Sequence, residues 1–400
     1  MVARKRGTVR DLRRETRSVA LRALYLGRPC GRHELSERTG LSPASVTNVV
    51  RELLDEGILT EAEPSGPAGG RRRALLRIAP DYGYVIGVDI GETRVEVKLF
   101  DLAMAVRARA VARLDPGERA PGVVVERIAA GLDAVLADSG VAATAVLGAG
   151  VGVPGIVEEG PEALVHCQAY GWDAVPLERL LRSRTSLPLR LENCAKTMGQ
   201  AELWFGAGRG AQHAVVALIG TGVGAALISG GSAYRGAMSS AGEWGHTRVM
   251  VGGRTCRCGA RGCLEAYVGA QAILERYGER PGGDDEESAL AALVEAARTS
   301  ARAAAVLDET AVYLGAGLAN LVSLVNPERI VLGGWAGLLL GTRLPAIREA
   351  ARSRSLGQPF AAASIVLSQL GPEAATLGAA TLPVELFLDD GRARTATARR

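Results

Sequence analysis

The sequence predicts an α/β protein in which a small, basic helical head precedes a two-lobed body. Three observations carry that expectation. The first 80 residues hold 16 Lys and Arg against 9 Asp and Glu, a balance of +7, whereas the remaining residues balance at −3. Residues 11–57 show a three-helix pattern with turn signals between the helices. Further on, three β-branched runs far apart in the chain each end in glycines, at Tyr84–Thr93, Ala214–Gly224 and Arg329–Gly334. Strands that run into glycine turns at distant positions suggest loops converging on one cleft, the arrangement of an actin-like, two-lobed fold.

In the head, residues 11–27 place Leu12, Val19, Ala23 and Leu24 at near-helical spacing. A second helix fits Arg32–Thr39, with Gly40 free to take the left-handed conformation that stops it. Ser42 is an N-cap candidate and Pro43 suits the first turn of a third helix, which runs to about Glu56. Val46, Val49, Val50, Leu53 and Leu54 form its apolar face. The opposite face shows Ala44, Ser45, Thr47, Asn48 and Arg51, small and hydrogen-bonding residues that suit a helix entering the DNA major groove. Ile58–Thr60 and Ala74–Ile78 read as two strands around a Pro- and Gly-rich wing. Arg71, Arg72 and Arg73 in that wing can neutralise phosphates or probe a minor groove. The whole reads as a winged helix-turn-helix that meets a polyanion.

In the body, Tyr84–Ile90 leads into an Asp89-x-Gly91 turn, and Arg94–Asp101 alternates as the return strand of a hairpin. A helix is expected at Pro121–Ser139 and a buried strand at Ala145–Val153. The turn Gly220-Thr221-Gly222-Val223-Gly224 separates strands Ala214–Ile219 and Ala225–Ser229. A helix at Gly315–Val325 precedes a strand running into Gly333 and Gly334. Residues 281–287 read as a polar loop, and the tail after Asp390 as disordered.

The most specific local signal is His246-x9-Cys256-x-Cys258-x4-Cys263. Four soft or borderline ligands within 18 residues can close a tetrahedron around one Zn2+ ion, and a closed Cys3His set leaves no open coordination position, so the zinc is read as structural. The loop is flanked by Glu243 and Glu265. Half of the six cysteines lie in it, which fits a reducing cytoplasm. No apolar run reaches the roughly 20 residues of a membrane helix, and no apolar segment follows the basic N-terminus to make a signal peptide.

Together these motifs resemble the ROK family, which comprises repressors, open reading frames and sugar kinases. The resemblance extends to about residue 388, and its most specific stretch is Gly242-Glu243-Trp244-Gly245-His246 followed by Cys256-x-Cys258-Gly259-x-x-Gly262-Cys263-Leu264-Glu265. It implies two ribonuclease-H-like lobes around a sugar cleft, with sugar contacts at Asn193, Glu243, His246 and Glu265. It implies zinc ligation by His246, Cys256, Cys258 and Cys263. It also matches Asp89, Gly91 and Thr93, together with Gly220, Thr221, Gly222 and Gly224, to the kinase phosphate loops, and Gly333 and Gly334 to glycines near the adenosine. The head places the chain among regulators of this family. The domains expected are 1–80 for the head, 81–200 for lobe 1, 201–388 for lobe 2 with its last helix returning to lobe 1, and 389–400 for the tail.

The chain departs from the kinases at two positions that matter to phosphate transfer. The family's Glu-Asn-Asp-Ala is Glu192-Asn193-Cys194-Ala195 here, so a thiol replaces the general base, whose loss typically costs ~10²–10⁴ in rate. The kinase Asp-x-Gly-Gly-Thr is Asp89-Ile90-Gly91-Glu92-Thr93, which puts a carboxylate where polyphosphate would lie. An Asn often found three residues before Trp172 is Ala169, with His166 and Gln168 as candidate replacements. The expectation is a cytoplasmic, non-enzymatic regulator, most simply a repressor of carbohydrate genes. It would grip double-stranded operator DNA as a homodimer or tetramer and release it on binding a sugar or sugar phosphate. The alternatives are a sugar kinase that also binds DNA, and a regulator controlled by a protein partner.

Overall fold

The computed structural model describes residues 9–62, 74–115, 117–158, 160–278, 286–334, 337 and 340–390. The expectations for Arg71, Arg72 and Arg73, for 281–285 and for 391–400 fall outside these residues. Helices α1 (Val9–Leu26), α2 (Arg32–Thr39) and α3 (Pro43–Asp55) precede an antiparallel pair, β1 (Leu59–Ala62) and β2 (Leu75–Ile78). Gly40 is left-handed, and its N–H returns to the Ser36 carbonyl. The Ser42 side chain accepts from Ser45 N at 3.1 Å, with Pro43 in the first turn. A cap of this kind contributes about 1 kcal/mol.

Val46, Val49, Val50 and Leu53 of α3 are buried as expected. In α1 only Leu24 of the four expected positions is buried; Leu12 is 59% exposed, and Val19 and Ala23 are half-buried. The buried face is instead Arg17, Ala20, Leu21 and Leu24. The reason is that α1 packs against the C-terminal helix (Ala374–Asp390) as well as the rest of the head, so a second neighbour rotates its stripe. The head core continues without a break into Trp204, Val384, Phe387 and Leu388 of the body.

The body contains two five-stranded sheets of one topology. In the first, β3 (Tyr84–Ile90), β4 (Arg94–Asp101) and β5 (Val106–Arg113) form an antiparallel meander. β6 (Val146–Val153) and β10 (Leu189–Asn193) extend it in parallel with β3. In the second, β11 (His213–Ile219), β12 (Val223–Ser229) and β13 (Ser232–Tyr234) form the meander, while β14 (Arg329–Gly333) and β15 (Ser364–Leu367) extend it in parallel. A meander extended by two parallel strands, twice over, is the duplicated ribonuclease-H-like lobe. A small third sheet, β7 (Ile156–Glu158), β8 (Leu164–Cys167) and β9 (Trp172–Val175), lies beside the first.

Two sequence expectations need correction, and one strand is not marked in the sequence. β5 went unread because its Ala residues are too small to mark an apolar face against alternating arginines. The helix expected at Gly315–Val325 is the end of α10 (Ala301–Val325), whose Ala-rich start shows no period but is capped by Ser300. Glu286 and Glu287, read as loop, open α9 (Glu286–Ala296), where carboxylates complement the helix dipole. Although α10 is long and apolar enough to cross a membrane, most of its apolar window is buried within the protein.

The C-terminal helix lies on β3 and β6 so closely that a Cβ on Gly87 or Gly150 would stand 2.0 or 1.8 Å from a helix carbonyl. Helix α6 (Cys194–Phe205) packs along it. The carboxyl ends of β3, β10, β11 and β14 all open onto one cavity between the sheets, the position at which α/β sheets hold ligands.

Candidate functional site

The metal-loop residues converge. One ring nitrogen of His246 and the Sγ atoms of Cys256, Cys258 and Cys263 all lie within 4.8 Å of one another. His246 Nδ1 to Cys256 Sγ and Cys258 Sγ to Cys263 Sγ both measure 3.7 Å. A tetrahedral ion with bonds of about 2.3 Å to sulfur requires edges of about 3.8 Å, so the donor set and its spacing fit zinc. The backbone prepares this geometry. Cys256 N donates to Ala260 O at 2.7 Å and Gly259 N to Cys256 O at 2.9 Å. At Gly262, φ is +81°, and a Cβ would sit 1.7 Å from the Met250 carbonyl.

The cavity has a volume of about 350 Å³ and brings together Asp89, Gly91, Thr93, Asn193, Gly220, Thr221, Gly222, Gly224, Glu243, His246, Glu265 and Gly334. Gly333 does not reach it but backs onto Met198 and Ser368. Val223 and Gly224, read as turn, already belong to β12. Asn193 caps α6: its Oδ1 accepts from Ala195 N and Lys196 N, and its Nδ2 donates to Gly155 O at 2.6 Å. Burial pushes the Glu243 carboxyl above its usual range, against the opposing charges of His246 and Lys196. Burial would do the same to Glu265, but the hydrogen bond and charge of Arg257 and the Val223 N–H pull it below. His166 has both ring nitrogens in contact with carboxylates, Nδ1 with Asp173 at 3.0 Å and Nε2 with Glu158 at 3.2 Å. Gln168 and Ala169 line the cavity beside it.

The phosphate-loop end of the cavity is lined by Cys194 and Glu92. Cys194 opens α6, where a helix N-terminus would favour a thiolate. Burial outweighs this, with the nearby Asp89, Cys167 and Glu243 acting in the same direction, and raises the thiol well above its usual range. A shift in this direction favours the protonated thiol at neutral pH.

Glu92 projects into the cavity, and its turn is fixed from behind: Tyr170 Oη donates to Gly91 O, and Arg119 Nη2 donates to Glu92 O at 3.1 Å. Arg257 spans the cleft, donating from Nη1 to Glu92 Oε1 at 2.6 Å and from Nε to Glu265 Oε1 at 2.8 Å. A second link joins Arg94 of β4 to Glu287 of α9 at 3.3 Å. Thr221 Oγ1 donates to Glu286 Oε2 at 2.6 Å. Sequence reasoning missed Arg257, Glu286 and Glu287. Arg257 sits between Cys256 and Cys258 of the Cys3His cluster, where nothing in the spacing selects an arginine.

On the head, Thr47, Asn48 and Arg51 are exposed along the outer face of α3 and Ser45 is half-buried. Arg51 Nη2 donates to Asn48 Oδ1 at 3.1 Å, and Thr47 Oγ1 to Pro43 O at 2.8 Å. The head joins the body through Tyr25, whose ring stands edge-on to Trp204 and Phe205 of α6 at 5.9 and 6.3 Å. Arg22 pairs with Asp389 at 2.7 Å.

A duplicated lobe, a cleft between the copies and a Cys3His loop beside it define a protein of the sugar-kinase type within the actin-like class. The ROK family model matches residues 85–385, and the chain belongs to that family. A xylose repressor of Caldicellulosiruptor bescii is 28% identical over 390 residues, covering 94% of this chain and 97% of the relative. A glucokinase of Halalkalibacterium halodurans is 30% identical over 312 residues, covering 74% of this chain and 93% of the relative. Among solved structures, a ROK family transcriptional regulator homologous to the E. coli MLC protein superposes with a TM-score of 0.78 over 95% of this chain and 97% of its own, at 24% identity. The repressor match thus takes in nearly the whole chain, whereas the kinase match leaves a quarter of it uncovered.

Proposed function

We propose that this protein is a sugar-responsive, DNA-binding transcriptional repressor of carbohydrate genes, working in the cytoplasm, in which a kinase cleft has become an effector pocket. The observation that carries the reading is the pair of side chains at the transfer end of the cleft, Cys194 where a phosphoryl-transfer base would be needed and Glu92 bound to Arg257, in a chain that also carries the three-helix head. Residues 1–80 act as a winged helix-turn-helix. Ser45, Thr47, Asn48 and Arg51 read the major groove, and Arg71, Arg72 and Arg73 supply charge that neutralises phosphates or probes a minor groove. Residues 81–200 and 201–388 form the two lobes. The body dimerises, so that two heads address half-sites about 10 bp apart or a multiple of that.

Asn193, Glu243, His246 and Glu265 bind sugar hydroxyls, which both donate and accept. Zn2+ held by His246, Cys256, Cys258 and Cys263 supplies no reaction; it ties the segment of Glu243 to that of Glu265. Helix α6 begins at the cavity with Cys194, Ala195 and Met198 and ends against Tyr25 of the head. A change in the cleft therefore has a rigid path to the DNA-binding helices. Release of DNA by a factor of ~100 needs about 2.7 kcal/mol of coupling between the two sites.

The test is selection of genomic fragments on the purified protein, followed by release with a sugar panel that begins with xylose, the sugar named in the repressor relatives. A defined operator released by a sugar is the expected result. Rapid ADP formation from ATP, magnesium and any hexose would overturn the non-enzymatic reading. Release only by cell extract, with no sugar active, would favour a protein effector.

A further inference from the structure

We infer that the effector is an uncharged sugar, and that phosphorylated sugars and nucleotides are rejected because the protein's own groups already fill the phosphate-receiving end of the cleft. The inference rests on the reading of the cavity as a sugar pocket and sharpens it. A phosphate cradle needs free backbone N–H groups and unpaired cations. Here three of the amides at the glycine turns are taken. Gly91 N donates to Arg94 O, Gly220 N to Gly222 O and Val223 N to Glu265 Oε2, each at 2.9 Å. At the start of α6, Ala195 N and Lys196 N donate to Asn193 Oδ1 at 2.9 and 3.2 Å. An incoming anion would have to displace a carbonyl, a carboxylate or the Asn193 cap to reach them.

The cations are taken as well. Among the described residues, the guanidinium groups lining the cavity are those of Arg94 and Arg257. Arg257 is held between Glu92 and Glu265, and Arg94 is paired with Glu287. Against these two charges the cavity wall carries Asp89, Glu92, Glu243, Glu265, Glu286 and Glu287. Even with some of these carboxyls protonated, the wall presents an excess of negative charge, and a phosphate dianion meets repulsion that a low-dielectric cleft strengthens.

A neutral sugar meets the opposite situation. Its hydroxyls donate to carboxylate oxygens, forming the stronger, charge-assisted class of hydrogen bond. A cavity of about 350 Å³ lies at the small end of ligand sites. Glu92 is then more than a lost glycine. It closes the phosphate loop against anions and, through Arg257, links the first sheet to the metal loop.

The experiment is calorimetric titration of the full-length, zinc-replete protein with D-xylose, D-glucose and N-acetylglucosamine, with the terminal phosphate ester of each, and with ATP and magnesium. At least one parent sugar should bind, with its ester weaker by about 100-fold or more. An ester that binds as tightly as its parent, or more tightly, overturns the inference while leaving the sugar-responsive reading intact. Binding of neither kind overturns both. The second arm uses Glu92→Gln, which keeps the side chain's size and an acceptor for Arg257 but removes its charge. The ratio between ester and parent should narrow by about 10-fold or more in this variant. An unchanged ratio, in a variant whose zinc content and Tm match the parent protein, counts against the role of Glu92 and sinks the electrostatic argument.

Discussion

The two ends of the cleft are built from the same materials, carboxylates and glycine turns, yet they stand in opposite conditions. At the Cys3His end, Glu243 and His246 line the cavity, and His246 also belongs to the cluster of possible metal ligands. At the other end the glycine turns keep their shape, but the amides of Gly91, Gly220 and Val223 are satisfied internally, and Glu92, Glu286 and Glu287 line the same space. The contrast teaches that a binding surface and a transfer machine are separable within one cavity. A shape can persist through backbone packing after its chemistry has been taken up by neighbouring groups. Arg257 joins the two ends, since it belongs to the metal loop and reaches Glu92.

The largest effect expected on this contrast comes from the metal. Cys258→Ser, or exhaustive chelation, should release the ion and loosen residues 247–263, because a structural zinc site supplies folding free energy through its ligands. We expect sugar affinity to fall by 100-fold or more and stability by about 3 kcal/mol, less than in an isolated zinc finger because Trp244, Cys263 and Leu264 are also packed in the core. Metal content and thermal denaturation measured together check this. Full sugar binding by the metal-free protein would show that the loop braces nothing.

Next in size is Glu243→Ala. Loss of a buried charge-assisted partner costs about 2–3 kcal/mol, so the sugar response should drop ~100-fold while operator binding by the head is unchanged. Fluorescence anisotropy with labelled operator, with and without sugar, separates the two. A variant that still releases DNA at the original sugar concentration removes Glu243 from the site.

A smaller effect should follow from breaking the link between cleft and head. Tyr25→Ala removes the ring held against Trp204 and Phe205, and edge-to-face pairs contribute ~0.5–1.5 kcal/mol each beyond their burial. The prediction is that sugar still binds while release of DNA is blunted by ~10-fold. Equal loss of sugar binding and of release would instead indicate general destabilisation. Tyr25→Phe is the matching control. The buried Tyr25 hydroxyl has no hydrogen-bond partner among the described residues, so its removal should leave coupling intact and stability equal or higher.

Much of the architecture was legible from local chemistry. Gly40, Ser42 and Pro43 delimit α2 and α3 because caps act over three or four residues, and the cysteine spacing shows the metal cluster because its ligands are close in sequence. What was not legible depends on residues far apart in the chain. Arg257 meets Glu92 across 165 positions, and Arg94 meets Glu287 across 193. No periodicity records such pairs. The seating of α1 escapes local spacing for the same reason, since its second neighbour is the C-terminal helix. The capping role of Asn193 depends on β10 ending where α6 begins, a junction that local spacing does not mark.

The smallest expected effect concerns Asp89, at the floor of the phosphate end. It stands opposite Glu96 in the β3–β4 ladder. Burial pushes its pKa up to about 6 from 3.8, with Glu96 adding to the rise and Arg94 and Lys98 opposing it. A carboxyl whose folded pKa is raised destabilises the fold in its charged form. Its favourable contribution is therefore complete below about pH 4 and is lost as pH climbs through about 6. Because the carboxyl opens onto the cavity, its cost at pH 7.5 is discounted to about 1–2 kcal/mol. Asp89→Asn, which removes the charge, should raise Tm at pH 7.5 while changing it little at pH 4.5. Denaturation curves across that interval check the sign. If Asp89→Asn lowered stability at pH 7.5, the carboxylate would have a favourable partner at this end of the cleft, and the contrast between the two ends would narrow to Cys194 and Glu92 alone.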